Sequence, residues 1–371
     1  MTASKRKSSD HRFGSSAPLT LGVEEELLLV DDAYRLRPAA EEVLAALEPG
    51  ARERASTEIF ATQVELKTGV CGDSRQALEE LRQLRRAVLE KGYKLIGSGL
   101  HPDDDEEQPT LVDSDRYEIV KDDLASLLRT PPCGLHVHVG MPDAETAVRV
   151  CNALRHHLPL LQALTANSPF RLGGDSGLAS ARAAVVASYP RFEMPRSFRD
   201  YEDFLSVADQ LIAAAGVDDY TYLWWDLRPH PNLGTVEVRG MDVQTEVEDN
   251  AAIGALIQAL AAKEMDRPGP LPELYRETLE ESYFQAGRHG LDARLLVDDG
   301  EAAPARDVAA QVLEQVRPYA RELGGEAALE RIERIVREGN GADFQRRVHE
   351  ESGMDGLLAD LAFRTARGLS G

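Results

Sequence analysis

The 371-residue sequence predicts an α+β fold in one large domain. Three observations predict it. Short segments rich in Val and Leu carry polar residues at a period of two, the mark of strands. Longer segments carry leucine and alanine at helical spacing, and the chain beyond Pro268 is mainly helical. Strands and helices do not alternate in the regular βα order of a barrel. No internal repeat or low-complexity linker divides the chain. Residues 1–18 read as a flexible tail and 19–371 as a single catalytic domain.

Taken in order, "LTLGVEEELLLVD" (19–31) is a strand, followed by a turn at Asp31–Asp32. "AAEEVLAALEPG" (39–50) is a short helix that ends at Pro49–Gly50. "IFATQVELKTGVC" (59–71) mixes β-branched and polar residues and reads as a strand. "SRQALEELRQLRRAVLEKGY" (74–93) is a helix with Ser74 as N-cap. "KLIGSGL" follows as a strand, then an acidic solvated loop at 101–109. "GLHVHVGM" is the next strand, and 144–169 is a helical region with a break near Pro159. A glycine-rich loop at 172–184 runs into a short helix, and 191–223 is mostly helical. "GTVEVRGMDVQ" (234–244) is a strand, and 248–265 is an amphipathic helix.

Hydrophobic residues make up 43% and charged residues 29%, an ordinary globular composition. A net charge of -22 excludes nucleic acid and anionic membrane surfaces as partners, because both need a basic face. No run approaches the roughly eighteen apolar residues that a membrane span needs. The three cysteines are odd in number and form no CxxC pair, which argues against disulfides and structural zinc and for a reducing cytoplasm. The basic N-terminus has no apolar core behind it and is not a signal peptide.

Three strands each carry two polar residues two positions apart: Glu24 and Glu26, His136 and His138, Glu237 and Arg239. A strand repeats every two residues, so each pair projects from one face. The intervening Val137 and Val238 face a hydrophobic layer. Glu25 faces that layer too, and needs either a strand end or a basic partner from a helix. A single such pair equally describes a solvated sheet surface. Three pairs, with Glu58 and Glu65 added, favour a shared site of carboxylates and imidazole. Like charges about 4 Å apart repel by about 4 kcal/mol at an effective dielectric near 20, and divalent cations remove that penalty. Oxygen ligands point to Mg2+, and an imidazole admits Mn2+ as well. Two or three ions would suit phosphoryl transfer.

A phosphate also needs cations. Arg239 stands beside Glu237, Arg228 lies on the same hairpin, and Arg182 sits in the glycine-rich stretch; the ordinary alternative for each is a surface ion pair. No GK[ST] follows the glycines, so they form no P-loop. Adjacent Trp224 and Trp225 face opposite ways, one to the core and the other to a pocket. Cys133 near His136 invites a thiol nucleophile, but no oxyanion motif accompanies it.

"LGVEEELLLVD", "QVELKTGVC", "PPCGLHVHVGMP", "LTANSPF", "WWDLRPHPNLGTVEVRGMD" and "GRHGLDA" together resemble the carboxylate–amine ligase family, also named glutamate–cysteine ligase type 2, from about residue 19 to 290. That family is related to glutamine synthetase. The resemblance implies a glutamine synthetase-like fold, a curved antiparallel sheet with helices on its outer face and the active site on the other. It implies that Glu26, Glu58 and Glu65 hold one metal and that Glu24, His136 and Glu237 hold a second. His138 would touch ATP phosphate, with Arg228 and Arg182 as further nucleotide contacts. Arg239 would stabilise the transferring phosphoryl group or hold the substrate carboxylate. The implied reaction makes an acyl phosphate from ATP and a carboxylate such as glutamate, then an amide with an amine such as cysteine. A homodimer is the assembly implied.

Two other readings compete. A metal-dependent hydrolase also uses HxH on a strand, but an early one, with further histidines and a late aspartate. A non-catalytic nucleotide-binding scaffold has no need of six metal ligands. ATP-dependent turnover separates all three.

Overall fold

The computed structural model describes residues 11–104, 109–272, 274–297 and 300–369. Residues 1–10 of the expected tail and 105–108 of the acidic loop lie outside the described residues.

The main sheet contains β1 (Leu21–Val30), β2 (Ala55–Thr57), β3 (Gln63–Lys67), β4 (Lys94–Ile96) and β5 (Gly134–Gly140). A small ribbon of β6 (Phe170–Arg171) and β7 (Gly174–Asp175) intervenes before β8 (Leu227–His230) and β9 (Thr235–Asp242) complete that sheet. Its order is β2-β3-β1-β5-β9-β8, with β4 beside the second half of β1, and every pairing is antiparallel. A second ribbon pairs β10 (Arg294–Leu296) with β11 (Ala302–Pro304). The helices are α1 (Ala40–Ala46), α2 (Pro49–Arg52), α3 (Ser74–Glu90), α4 (Asp115–Leu124), α5 (Ala144–Leu154), α6 (Leu158–Thr165) and α7 (Ala181–Val186). They continue as α8 (Tyr201–Ala215), α9 (Val247–Met265), α10 (Arg276–His289), α11 (Ala305–Glu322), α12 (Glu326–Glu338) and α13 (Gly341–Ala366).

Alternation along the strands builds the core. Leu21, Val23, Val137, Val139, Val236 and Val238 form one apolar layer with the buried faces of α3, α5 and α9. Each such side chain contributes about 1.5–3 kcal/mol when fully buried. The run Leu27–Val30 is buried on both faces, which explains why alternation stops there. Glu25 projects into the same layer as Val23. Arg85 of α3 meets it with Nε and Nη2, each at 2.8 Å, and Asn250 of α9 adds a third bond at 2.8 Å. The basic helical partner that Glu25 requires is therefore Arg85.

Several expected elements shift. Pro49 opens α2 rather than ending α1; at the first helical position proline loses no hydrogen bond. The cap of α3 is Asp73, whose Oδ1 accepts from Arg75 N at 3.0 Å and Gln76 N at 2.9 Å, so Ser74 is already helical. The strand expected at 59–71 shortens to β3, and 191–200 carries no helix. α9 is buried along nearly its whole length, because α11 and α12 cover the side away from the sheet. Within residues 11–18, mostly exposed, Arg12 N donates to Pro231 O at 2.8 Å, Gly14 N donates to Met141 O at 2.9 Å, and Phe13 is buried against Tyr201. Among the described residues no helix is long and apolar enough to cross a membrane.

Candidate active site

Strand register brings the polar pairs together. Across β1 and β5, Glu24 stands opposite His136. Across β1 and β3, Glu26 stands opposite Glu65. Across β5 and β9, His138 stands opposite Glu237, and across β8 and β9 Arg228 stands opposite the same glutamate. All project from the face away from α3, α5 and α9. Two groups result, Glu24–His136–Glu237 and Glu26–Glu65–His136; within each, the potential ligand atoms lie within 4.8 Å of one another. His136 joins the groups through opposite ring nitrogens, Nδ1 at 3.3 Å from Glu24 and Nε2 at 3.6 Å from Glu26. Glu58 lines the adjoining cavity beside Glu26 and belongs to neither group.

The electrostatics are uneven. Burial pushes the Glu24 carboxyl up, but the imidazoles of His136 and then His138 beside it outweigh that and hold it well below the usual carboxylate range. Burial acts likewise on Glu237, and Arg228 and then Arg239 overcome it, leaving that acid well below the range too. Glu65 moves the other way: burial first and Glu24 second raise it, despite Lys67 alongside. Burial alone would lower His138, and Glu237 and Glu24 reverse that.

His138 Nδ1 pairs with Thr235 Oγ1 at 3.0 Å. Its Nε2, 3.7 Å from Glu24 and 3.8 Å from Glu237, is buried without a hydrogen bond. The Nε atoms of Arg182 and Arg239 are buried and unbonded as well. Buried polar atoms are normally satisfied, so the unbonded His138 Nε2 and Arg239 Nε, both on side chains that flank Glu237, fit a site that takes a polar ligand. A mostly oxygen donor set with one imidazole fits Mg2+ or Mn2+.

Beside the carboxylates lies a cavity of about 140 Å³ bordered by Glu26, Glu58, His136, Arg182, Arg239 and Trp224. Arg239 Nη1 bonds Glu237 at 2.8 Å. Its placement depends on a bulge: β5 advances two residues, 135 to 137, while β9 advances three, 241 to 238. The extra residue returns Met241 to the core layer that holds Val238. A side chain at Gly240 would collide with Tyr283 Oη at 2.5 Å and Asp226 Oδ1 at 2.7 Å, so the bulge requires glycine there. Arg182 is buried and reaches over Gly134, whose N–H donates to Glu26 at 2.5 Å. It therefore forms no surface ion pair. Arg228 stands behind the site. Its Nε bonds Glu237 at 2.6 Å and its Nη1 bonds Leu223 O at 2.7 Å, so it orients Glu237.

The quoted motifs acquire physical roles. Asp242 of "RGMD" accepts from Asn167 N at 2.9 Å, Ser168 Oγ at 2.7 Å and Ser180 Oγ at 2.8 Å, tying "LTANSPF" to the loop that enters α7. "GRHGLDA" holds the same loop: Gly287 O accepts from Ala179 N at 2.9 Å and Ser180 N at 2.8 Å. Trp225 is buried with Phe198 and Phe204, and Trp224 lines the cavity. Cys133 is buried, its Sγ accepts from Gln63 Nε2 at 3.1 Å, and burial pushes its thiol well above the usual range, which disfavours the thiolate that a nucleophile needs. Sequence reasoning missed Lys67, which pairs with Glu65 on the polar face, and Asp226 behind the bulge. The period-two rule that paired Glu24 with Glu26 also pairs Glu65 with Lys67.

Residues 20–361 match the model of glutamate–cysteine ligase family 2. The chain belongs to that family. A provisionally named glutamate–cysteine ligase 2-3 of Rubrobacter xylanophilus is 41% identical over 96% of this chain and 99% of its own length. A relative in Sorangium cellulosum, provisionally named glutamate–cysteine ligase 2, is 37% identical over 94% of this chain and 97% of its own. Among solved structures, a glutamate–cysteine ligase from Francisella tularensis in complex with AMP aligns with a TM-score of 0.73 at 13% identity, over 95% of this chain and 89% of that one. A bifunctional glutathione synthetase from Pasteurella multocida aligns at 0.68 and 14% identity, over 94% of this chain and 52% of that one. These likenesses establish the expected glutamine synthetase-like α+β fold, and family membership makes the chain a carboxylate–amine ligase.

Proposed function

We propose that the protein joins glutamate to an amine, cysteine among those accepted, through an ATP-derived acyl phosphate. The observation that carries this reading is the pair of acidic groups joined by His136, with the unbonded nitrogens of His138, Arg182 and Arg239 around them. Mg2+, or Mn2+, bound there would neutralise the triphosphate and polarise the transferring phosphoryl group.

The ligand sets follow from the imidazole. A neutral ring offers one acceptor nitrogen. Nδ1 faces Glu24 at 3.3 Å, so it completes the set with Glu24 and Glu237. Nε2–H is then left to donate toward Glu26. The set of Glu26 and Glu65 takes its third member from Glu58, which borders the same cavity.

In the first step a carboxylate oxygen of glutamate attacks the γ-phosphorus, the bond to the bridging oxygen breaks, and ADP leaves. In the second the amine nitrogen attacks the acyl carbon, the carbon–oxygen bond to phosphate breaks, and the nitrogen gives up its proton. Arg239 and Arg182 hold the carboxylate and the transferring group in line, and positioning of this kind lowers a bimolecular barrier strongly. His138 Nε2, unbonded in the buried site, would contact phosphate. Arg228 keeps Glu237 ionised and aimed.

Hydroxylamine tests the reading, because it intercepts an acyl phosphate as a hydroxamate. Glutamate, ATP and Mg2+ should give hydroxamate and ADP in equal amounts, and His136→Ala should abolish both. ADP release without hydroxamate would exclude the intermediate.

A further inference from the structure

A larger cavity, about 460 Å³, lies behind the catalytic one, and Val186 and Phe192 line both. Its walls come from α7, α10 and residues 192–194, and are mainly apolar: Ala183, Ala184, Met194 and Phe284. One carboxylate, Asp226, is set into that wall and is only 5% exposed. Its backbone carbonyl accepts from Arg239 N at 2.7 Å and Gly240 N at 3.2 Å, so this wall is the back of the catalytic bulge.

The Asp226 side chain is poorly satisfied. Tyr283 Oη stands 3.5 Å away but also donates to Gly240 O at 2.8 Å. A phenol has one O–H proton, and the shorter bond takes it. Asp226 is thus open to a donor arriving from the cavity. At the mouth, Glu193 and Glu280 share Arg276, and Arg288 stands nearby. The volume falls in the range of about 300–1,000 Å³ typical of sites for sizeable ligands, and cysteine would fill a small part of it.

We infer that this cavity is the amine pocket of the ligase, and that it takes a primary ammonium on an apolar body, larger than cysteine, with the nitrogen at Asp226. The inference rests on the ligase reading and specifies its amine side. The ammonium supplies the donor that Asp226 lacks, and the body covers the alanine and phenylalanine surface. Val186 and Phe192, which line both cavities, mark where this pocket adjoins the catalytic one.

Binding of 2-phenylethylamine and of its neutral isostere 2-phenylethanol to the full chain at pH 8, followed by calorimetry, tests the pocket without turnover. The amine should bind at least tenfold tighter than the alcohol. Asp226→Asn should erase that difference. Ala184→Phe, at an exposed position of α7, should weaken both ligands at least tenfold. In turnover, 2-phenylethylamine should give amide and ADP with a lower KM than cysteine. Equal affinity for amine and alcohol, or unaltered affinity in Ala184→Phe, overturns the pocket while hydroxamate formation keeps the ligase reading. Absence of hydroxamate with every acid tried overturns the ligase reading beneath it.

Discussion

Replacing Gly134 by alanine puts a methyl group where β5 has least room for one. The new Cβ would stand 2.5 Å from Arg182 Nη2 and 3.1 Å from His136 Nε2. Unstrained carbon contacts begin at about 3.5 Å. The two neighbours differ in freedom. His136 sits in mid-sheet beside Glu24, whereas the Arg182 guanidinium borders the cavity of about 140 Å³ and can move into it by roughly 1 Å. Overpacking costs about 1–3 kcal/mol, and this escape favours the low end. The displaced guanidinium then blocks the space in front of Arg239. Losing one charge-assisted bond to the substrate carboxylate, about 1.5–3 kcal/mol, raises the KM for glutamate roughly ten- to hundredfold. Hydroxamate formation against glutamate concentration reads the KM, and urea unfolding reads stability. Gly134→Ala with Arg182→Ala should recover the urea midpoint but not the KM. Unchanged KM and midpoint in the single variant would refute the close approach of Arg182 over Gly134.

Two further outcomes concern stability. Arg85→Met leaves Glu25 buried and without its cation, and should cost about 3–5 kcal/mol in urea; adding Glu25→Leu should return more than half. Asp226→Asn should stabilise the protein more at pH 8 than at pH 4. Burial pushes Asp226 up to about 6 against Arg182 and Arg239, so its charged form is disfavoured in the folded chain. That cost is absent below the ordinary value of about 3.9, grows between pH 4 and 6, and is complete above, at about 3 kcal/mol as an upper figure. A flat difference between wild type and variant across that window would remove the assigned cause.

The polar face was legible because a strand's period of two is strict. Glu24 with Glu26, His136 with His138, and Glu237 with Arg239 need only the sequence to share a side. Which pair stands opposite which depends on register, and nothing local sets the pairing of Glu26 with Glu65 or of His138 with Glu237. The bulge at Arg239–Gly240 was hidden for the same reason: its extra residue exists only relative to β5. Arg228 reads as an exposed cation in "WWDLRPHP", yet the turn just before it, at Tyr220–Leu223, folds back and sets three backbone carbonyls around its Nη1, a geometry that residue types alone do not announce. Local signals also compete: Asp73 and Ser74 are both good caps, and the longer reach of neither decides from sequence alone. α9 shows that a helix's surroundings escape a pattern of its own residues, since α11 and α12 arrive from much later in the chain.

The stoichiometry and affinity of Mn2+ binding, followed by electron paramagnetic resonance on wild type, His136→Ala and Glu65→Gln, bear on the two ligand sets most directly. Two ions per chain are expected in wild type, one in each variant, with Glu65→Gln retaining the histidine-bound ion and its nitrogen coupling. No bound manganese in wild type, or two undisturbed sites in His136→Ala, would contradict the account.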